Sequence, residues 1–321
     1  MSVAAMTFPR RSVTRRKLRD QLFVIACMVI AAISMAVLVV LLSSIVTQGL
    51  KYFRWDFLRE VPSRRPAKAG IGPAMWGTIW VCVICALTAL PLGVGTAVLL
   101  EEFKPKRSWA RRIHGFVQLN ISNLAGVPSI VYGILGLTLF VQMWDLFGNL
   151  SEPTFTFGTR EDWYYVQLPF GRGTLAGGLT LMLVVLPIII VAAQEALRAV
   201  PNSLREGAMA LGSTPWKVVA RMTLPAAVPG IMTGSILAMS RAIGEAAPML
   251  VIAGVVYITF TPKHLMDEFT VMPLQIYNWA SLPQEEFHRV AATGIIVLLI
   301  VLLTFNALAV FIRQYFQKPL S

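Results

Sequence analysis

Charge is scarce in this sequence. Asp, Glu, Lys and Arg make up 14% of its 321 residues, against 56% hydrophobic, whereas soluble domains carry about 25% charged residues. That balance excludes an ordinary soluble globule. Histidine and cysteine are scarcer still, with three of each. His114, His264 and His288 fall near the edges of apolar runs, and none has a ligand-spaced partner, so a His/Cys metal centre is not expected. Cys82-x-x-Cys85 spells a redox motif, but inside a helix it is an apolar i,i+3 pair, and Cys27 also lies in an apolar run. There is no G-x-x-x-x-G-K-[ST], no G-x-S-x-G and no visible internal repeat. Neither ATP hydrolysis, nor another catalytic constellation, nor a cofactor is expected on this chain.

What the sequence has in quantity is long apolar runs. About 20 helical residues cross the hydrocarbon core of a bilayer. Six runs reach that length, at 21–47, 74–100, 114–144, 174–197, 227–259 and 290–312. The third and fifth are long enough to tilt or break, and each contains Gly and Pro (Gly126 and Pro128; Gly244 and Pro248). The expected fold is an all-α polytopic membrane protein with six transmembrane helices. The first run is too long for a signal-peptide core and lacks an A-x-A-like exit.

Orientation follows from the basic residues. The net charge of +12 would suggest nucleic acid in a soluble protein, but here its location matters more than its size. Residues 1–20, 101–112, 194–224 and the tail after 312 hold 17 Lys+Arg against 5 Asp+Glu. The loops 48–73, 145–173 and 260–289 hold 10 of each. The first set is therefore expected on the cytoplasmic side, with both termini inside. This divides the chain into a basic N-terminal arm (1–20), a first span with its outer loop (21–73), a transmembrane core (74–312) and a tail (313–321). No nucleic-acid partner is expected. Loop 48–73 has six basic residues on the outer side, and its KYFRWDFLRE interleaves aromatics with charges. It reads either as an interfacial amphipathic helix or as a docking surface at the outer mouth.

The stretch between the fourth and fifth runs has helix grammar. Pro201 stands near a helix start, Leu204, Ala208 and Leu211 recur at i, i+4 and i+7, and Gly212 suits a left-handed C′ position. Thr214 and Pro215 then suit the cap and first turn of a second helix, running through Trp216, Val219 and Met222. Two short helices with one apolar face each make a knob that gains little unless a partner covers it.

Glu206-Gly207-Ala208, three residues, Gly212, nine residues, then Met222-Thr223-Leu224-Pro225 resembles the EAA loop of ABC importer permeases. Gly207 stands where that pattern has Ala and Met222 where it has Ile. The resemblance implies a coupling element seated in a groove of an ATP-binding subunit. AGVPSIVYGILG (125–136), SLREGAMALGSTPWKVV (203–219), LPAAVPGIMTGSILAMSRAIGEAAPML (224–250) and MPLQIYNWASLPQEEFHRVAA (272–292) are similar to the PstA family of phosphate permeases. That family implies a type I importer permease in the bacterial inner membrane. It also implies a PstC-like second permease chain, two copies of an ATP-binding subunit, and a periplasmic or extracellular phosphate-binding protein. Ala246 replaces the family's usual Thr in G-E-T-A-P, so any bond made by that hydroxyl is absent or replaced.

Arg241 and Glu245 interrupt the fifth run four residues apart. A charge at bilayer depth costs at least about 2.5–3.5 kcal/mol on insertion scales. A guanidinium offers forked donors to a phosphate-like anion and stays charged when partly desolvated. A carboxylate one turn away can hold it when the path is empty and compete for it during release. Ser240 and Ser129 are hydroxyl candidates for the same path. The alternative is a self-neutralising pair that ties the fifth span to a neighbour. Permeation of another oxyanion or small nutrient, or ion-coupled secondary transport, remains open at this level.

Overall fold

In hydrocarbon every backbone polar group must be satisfied within its own segment, so the apolar runs fold as helices. A computed structural model describes residues 10–146, 155–159, 162, 165–253 and 257–316. Residues 1–9 of the basic arm and 317–321 of the tail lie outside it. Four runs form unbroken helices: α1 (Arg10–Gly49), α2 (Gly72–Glu102), α5 (Thr174–Arg198) and α11 (Glu285–Phe316).

The third and fifth runs break, both beside their Gly and Pro. Helix α3 (Ser108–Leu124) turns by 111° into α4 (Ser129–Gly136), which a π-turn extends over Leu137–Val141. Pro128 has no N–H to continue the ladder and biases the residue before it towards extended backbone. The third run is therefore not one straight crossing. Instead α3 lies across one end of the bundle, with Ile121 buried among Leu100, Ile190, Leu197 and Ile231. Its Gln118 exchanges two amide hydrogen bonds with buried Gln194, at 3.1 and 2.8 Å. The fifth run divides into α8 (Leu224–Ile243) and α9 (Ala247–Ala253) across Gly244-Glu245-Ala246.

Helices α2 and α5 run side by side through the core, and α8 packs on α5. Small residues allow the close approaches that substitute for a hydrophobic drive in lipid. A Cβ on Gly133 of α4 would stand 2.8 Å from the Cα of Pro248 in α9. Gly133→Leu is thus expected to push α4 off α9 at an overpacking cost of about 1–3 kcal/mol. Thermal unfolding of the detergent-purified protein reads this directly; an unchanged midpoint would mean the approach is looser than the structure has it.

Loop 48–73 differs from its expected form. KYFRWDFLRE makes no amphipathic helix, only a 3-10 turn over Trp55–Leu58. Phe57 is buried against Trp279, with ring centroids 5.9 Å apart, and its carbonyl accepts from the Ile71 N–H at 2.8 Å. The aromatics alternate with charges because one points into the core while Trp55 points out, which helical periodicity does not anticipate. A short helix absent from the sequence reading, α10 (Met272–Ala280), completes this cap by burying Met272, Ile276 and Trp279 against α11. Helix α1 is the outlier. Among its described side chains, from Lys17 onward, burial begins only near the C-terminal end, where Thr293 of α11 donates to the Gly49 carbonyl at 2.8 Å.

Candidate functional site

Two features of the sequence are candidates for function, and the structure builds both at helix ends. The first is the segment 194–224. Helix α6 (Asn202–Ala210) closes in a Schellman motif: Gly212 has φ +81°, its N–H reaches the Met209 carbonyl at 2.9 Å, and Ser213 reaches Ala208 at 3.1 Å. The chain then turns into α7 (Pro215–Val218), with Pro215 in the first turn. Thr214 takes the N-cap position in extended backbone, but its hydroxyl makes no cap bond; its carbonyl accepts from Val218 instead, at 3.0 Å. The second helix runs on past Leu224-Pro225. A π-turn over Val219–Thr223 carries it straight into α8, just before Pro225, whose missing N–H interrupts the regular ladder.

The expected single apolar face of Leu204, Ala208 and Leu211 is split. Ala208 is buried and Leu204 half-buried, but Leu211 is 89% exposed. The reason is local: Leu211 is the C-cap, with φ −80° and ψ 10°, so the i+7 projection has already ended. Glu206 and Trp216 are exposed on this segment, and a cleft of about 350 Å³ is lined by Leu204, Gly207, Leu211, Lys217 and Met222. A Cβ on Gly207 would meet open space, so the departure from Ala there has no steric cause within the chain.

The second feature is the charged pair of the fifth run. The structure brings Arg241 and Glu245 together, Nε to Oε1 at 3.1 Å. They do not lie on one continuous helix. Arg241 occupies the last turn of α8, and Glu245 lies beyond Gly244 in the break before α9. A cation in the last turn is favoured by the negative end of the helix dipole. From Leu224 to Arg241 is roughly 26 Å of helix rise, most of the thickness of a hydrocarbon core, so the pair stands at the far end of α8 where the fifth run breaks. The pair is asymmetric: the arginine side chain is 62% exposed and the glutamate 15%. Arg241 belongs to an exposed stripe of α8 running through Gly230, Thr233, Leu237 and Gly244. Hydrocarbon would penalise a guanidinium there, so this stripe suits water or another polypeptide.

The serines fall differently. Ser240 is half-buried and turned towards α11, its hydroxyl at 2.7 Å from the Ile236 carbonyl and against the Asn306 side chain. It is next to Arg241 in sequence only. Ser129 begins α4, which packs on α9 with Gly133 against Pro248. Sequence reading missed Arg205, which ties α6 to Glu102 of α2. Its signal was visible only as one more basic residue in a cytoplasmic-type loop.

Residues 89–321 match the family described as binding-protein-dependent transport system inner membrane component. Over 320 residues the chain is 30% identical to the probable ABC transporter permease protein YqgI of Bacillus subtilis, covering 95% of this chain and 99% of that one. It is 33% identical to the phosphate transport system permease protein PstA 1 of Mycobacterium tuberculosis, over 76% of this chain and 70% of the relative. Among solved structures, a chain of the MetNI methionine ABC transporter in an inward-facing form aligns with TM-score 0.55 at 17% identity, covering 76% of this chain and 94% of that one. Crossing-length helices, a helical knob between the fourth and fifth runs and a family match over well over half the chain lead to one assignment: this chain belongs to the binding-protein-dependent transport system inner membrane components, the permeases of ABC importers.

Proposed function

We propose that this permease forms half of the translocation path of an ATP-driven phosphate importer. The observation that carries the reading is Arg241: a guanidinium at the break of an apolar run of membrane-crossing length, exposed on its own chain and held on one side by Glu245. An oxyanion matches that fork, and the carboxylate supplies the competition that release requires. The similarity to PstA 1 supports phosphate among oxyanions. In this reading Glu206, Gly207, Ala208, Gly212, Leu224 and Pro225 build the seat of a separate ATP-binding subunit. Two such subunits, a PstC-like second permease and a soluble phosphate-binding protein complete the complex. The loop 194–224 and both termini face the cytoplasm.

Expressing the chain with its operon neighbours tests the reading. An ATPase subunit is expected to co-purify, and its hydrolysis to rise with phosphate-loaded but not sulfate-loaded binding protein. Stimulation by another loaded oxyanion in place of phosphate would keep the permease and reject the substrate. That second reading keeps some weight because the name of YqgI specifies no substrate.

A further inference from the structure

Arg205 is saturated. A guanidinium has five N–H donors, and here each has an acceptor. Nε and Nη2 clasp both oxygens of Glu102, at 3.3 and 2.7 Å. The other Nη2 proton goes to the Leu197 carbonyl at 2.8 Å. Nη1 donates to the Val200 carbonyl at 2.7 Å and to Asn202 Oδ1 at 3.0 Å. The Arg205 side chain is 17% exposed and that of Glu102 9%.

These partners come from three elements. Glu102 is the last residue of α2, and Leu197 lies in the last turn of α5, its carbonyl also accepting from the Val200 N–H at 3.3 Å. Arg205 itself is on α6. The neighbouring residue Glu101 ties α2 to α5 a second time, accepting from Arg198 at 3.0 Å. Along the chain, α6 connects directly only to α5, through Ala199–Pro201, and onward to α8 through α7. No such connection reaches α2, which is more than 100 residues away. The Arg205–Glu102 clasp supplies a polar tie there, beside the apolar contact of Trp216 of α7 with Phe103, whose ring centroids are 6.0 Å apart.

We propose that Arg205 and Glu102 form a latch that makes α2 and α5 move with the coupling knob, so that ATPase motion reaches the core through the latch as well as through α8. Arg205 acts as a positioning residue and meets neither substrate nor ATP. The inference rests on the reading that α6 and α7 seat an ATPase. A bidentate pair with further hydrogen bonds resists shear in a way a single point charge does not.

The test uses the whole complex of both permeases, ATPase and binding protein in liposomes, and measures phosphate moved per ATP hydrolysed. Glu102→Ala and Arg205→Lys are expected to keep the ATPase attached while that ratio falls on the order of ten-fold, near the upper range for coupling changes of this kind. A Glu102→Cys, Arg205→Cys pair joined by a short flexible thiol cross-linker is expected to regain most of the ratio, because the tie and not the charge is what matters. A wild-type ratio in both single variants overturns the inference. So does loss of ATPase attachment that cross-linking leaves unrepaired, since the pair then only holds α6 folded. A wild-type chain that captures no ATPase overturns the functional reading beneath it, and the latch with it. A working wild type beside equally working variants overturns the latch alone.

Discussion

Gly212→Val is expected to release the ATPase subunit from the permease while the membrane helices stay folded. Gly212 sits at φ +81° with nothing within 4 Å of the position a Cβ would take. The effect is therefore conformational and not steric. A β-branched residue is a true outlier in the left-handed region, which costs L-residues about 1–2 kcal/mol. The chain avoids that cost by opening the Schellman turn, which redirects α7 and moves Trp216 away from α6. A docking surface built from both helices then loses its shape, and binding weakens about ten-fold for every 1.4 kcal/mol lost. Asparagine tolerates the left-handed region, so Gly212→Asn is expected to retain capture. Co-purification of the ATPase, with thermal unfolding of the permease measured in parallel, checks both variants. Equal capture by Gly212→Val and wild type would remove this loop from the coupling machinery.

Arg241→Gln is expected to abolish phosphate uptake with assembly and receptor binding intact. Lysine restores the charge without the fork, so Arg241→Lys recovers partial activity at best. Glu245→Gln removes the competitor for the guanidinium, so bound phosphate lingers and turnover falls through slow release. If the pair is only scaffolding, the pattern inverts. Glu245 is the more enclosed partner at 15% exposure, against 62% for Arg241. Removing the arginine would strand a carboxylate, and Arg241→Gln would then harm assembly more than Glu245→Gln does. The double variant, Arg241→Gln with Glu245→Gln, would recover assembly and, under scaffolding alone, transport as well. Assembly and uptake measured separately on the three variants distinguish the two roles. Wild-type uptake by the double variant would end the path assignment for Arg241.

Much of this molecule was legible in its residues. Apolar runs about the length of a bilayer, bounded by basic segments, specify a polytopic helical protein because hydrocarbon leaves the backbone little else to do. Candidate break points at Gly126 with Pro128 and at Gly244 with Pro248 were readable too, since missing donors and permissive glycines act on the local ladder; the fifth run breaks at Gly244–Ala246, just ahead of Pro248. The left-handed Gly212 was readable as well. Each of these depends on a few consecutive residues. Direction and distance were not legible. In spans that are apolar on every side, hydropathy has no period to tell which face meets a neighbour. The 111° turn of α3, the inward Phe57, the outward Leu211 and the turn of Ser240 towards Asn306 were thus decided by packing. The same holds for Gln118 with Gln194, 76 residues apart, and Arg205 with Glu102, 103 apart. Sequence by itself determined which segments enter the membrane and where they bend. Only the tertiary structure decided which polar groups meet there, because a buried donor takes whichever acceptor the packed helices bring within about 3 Å.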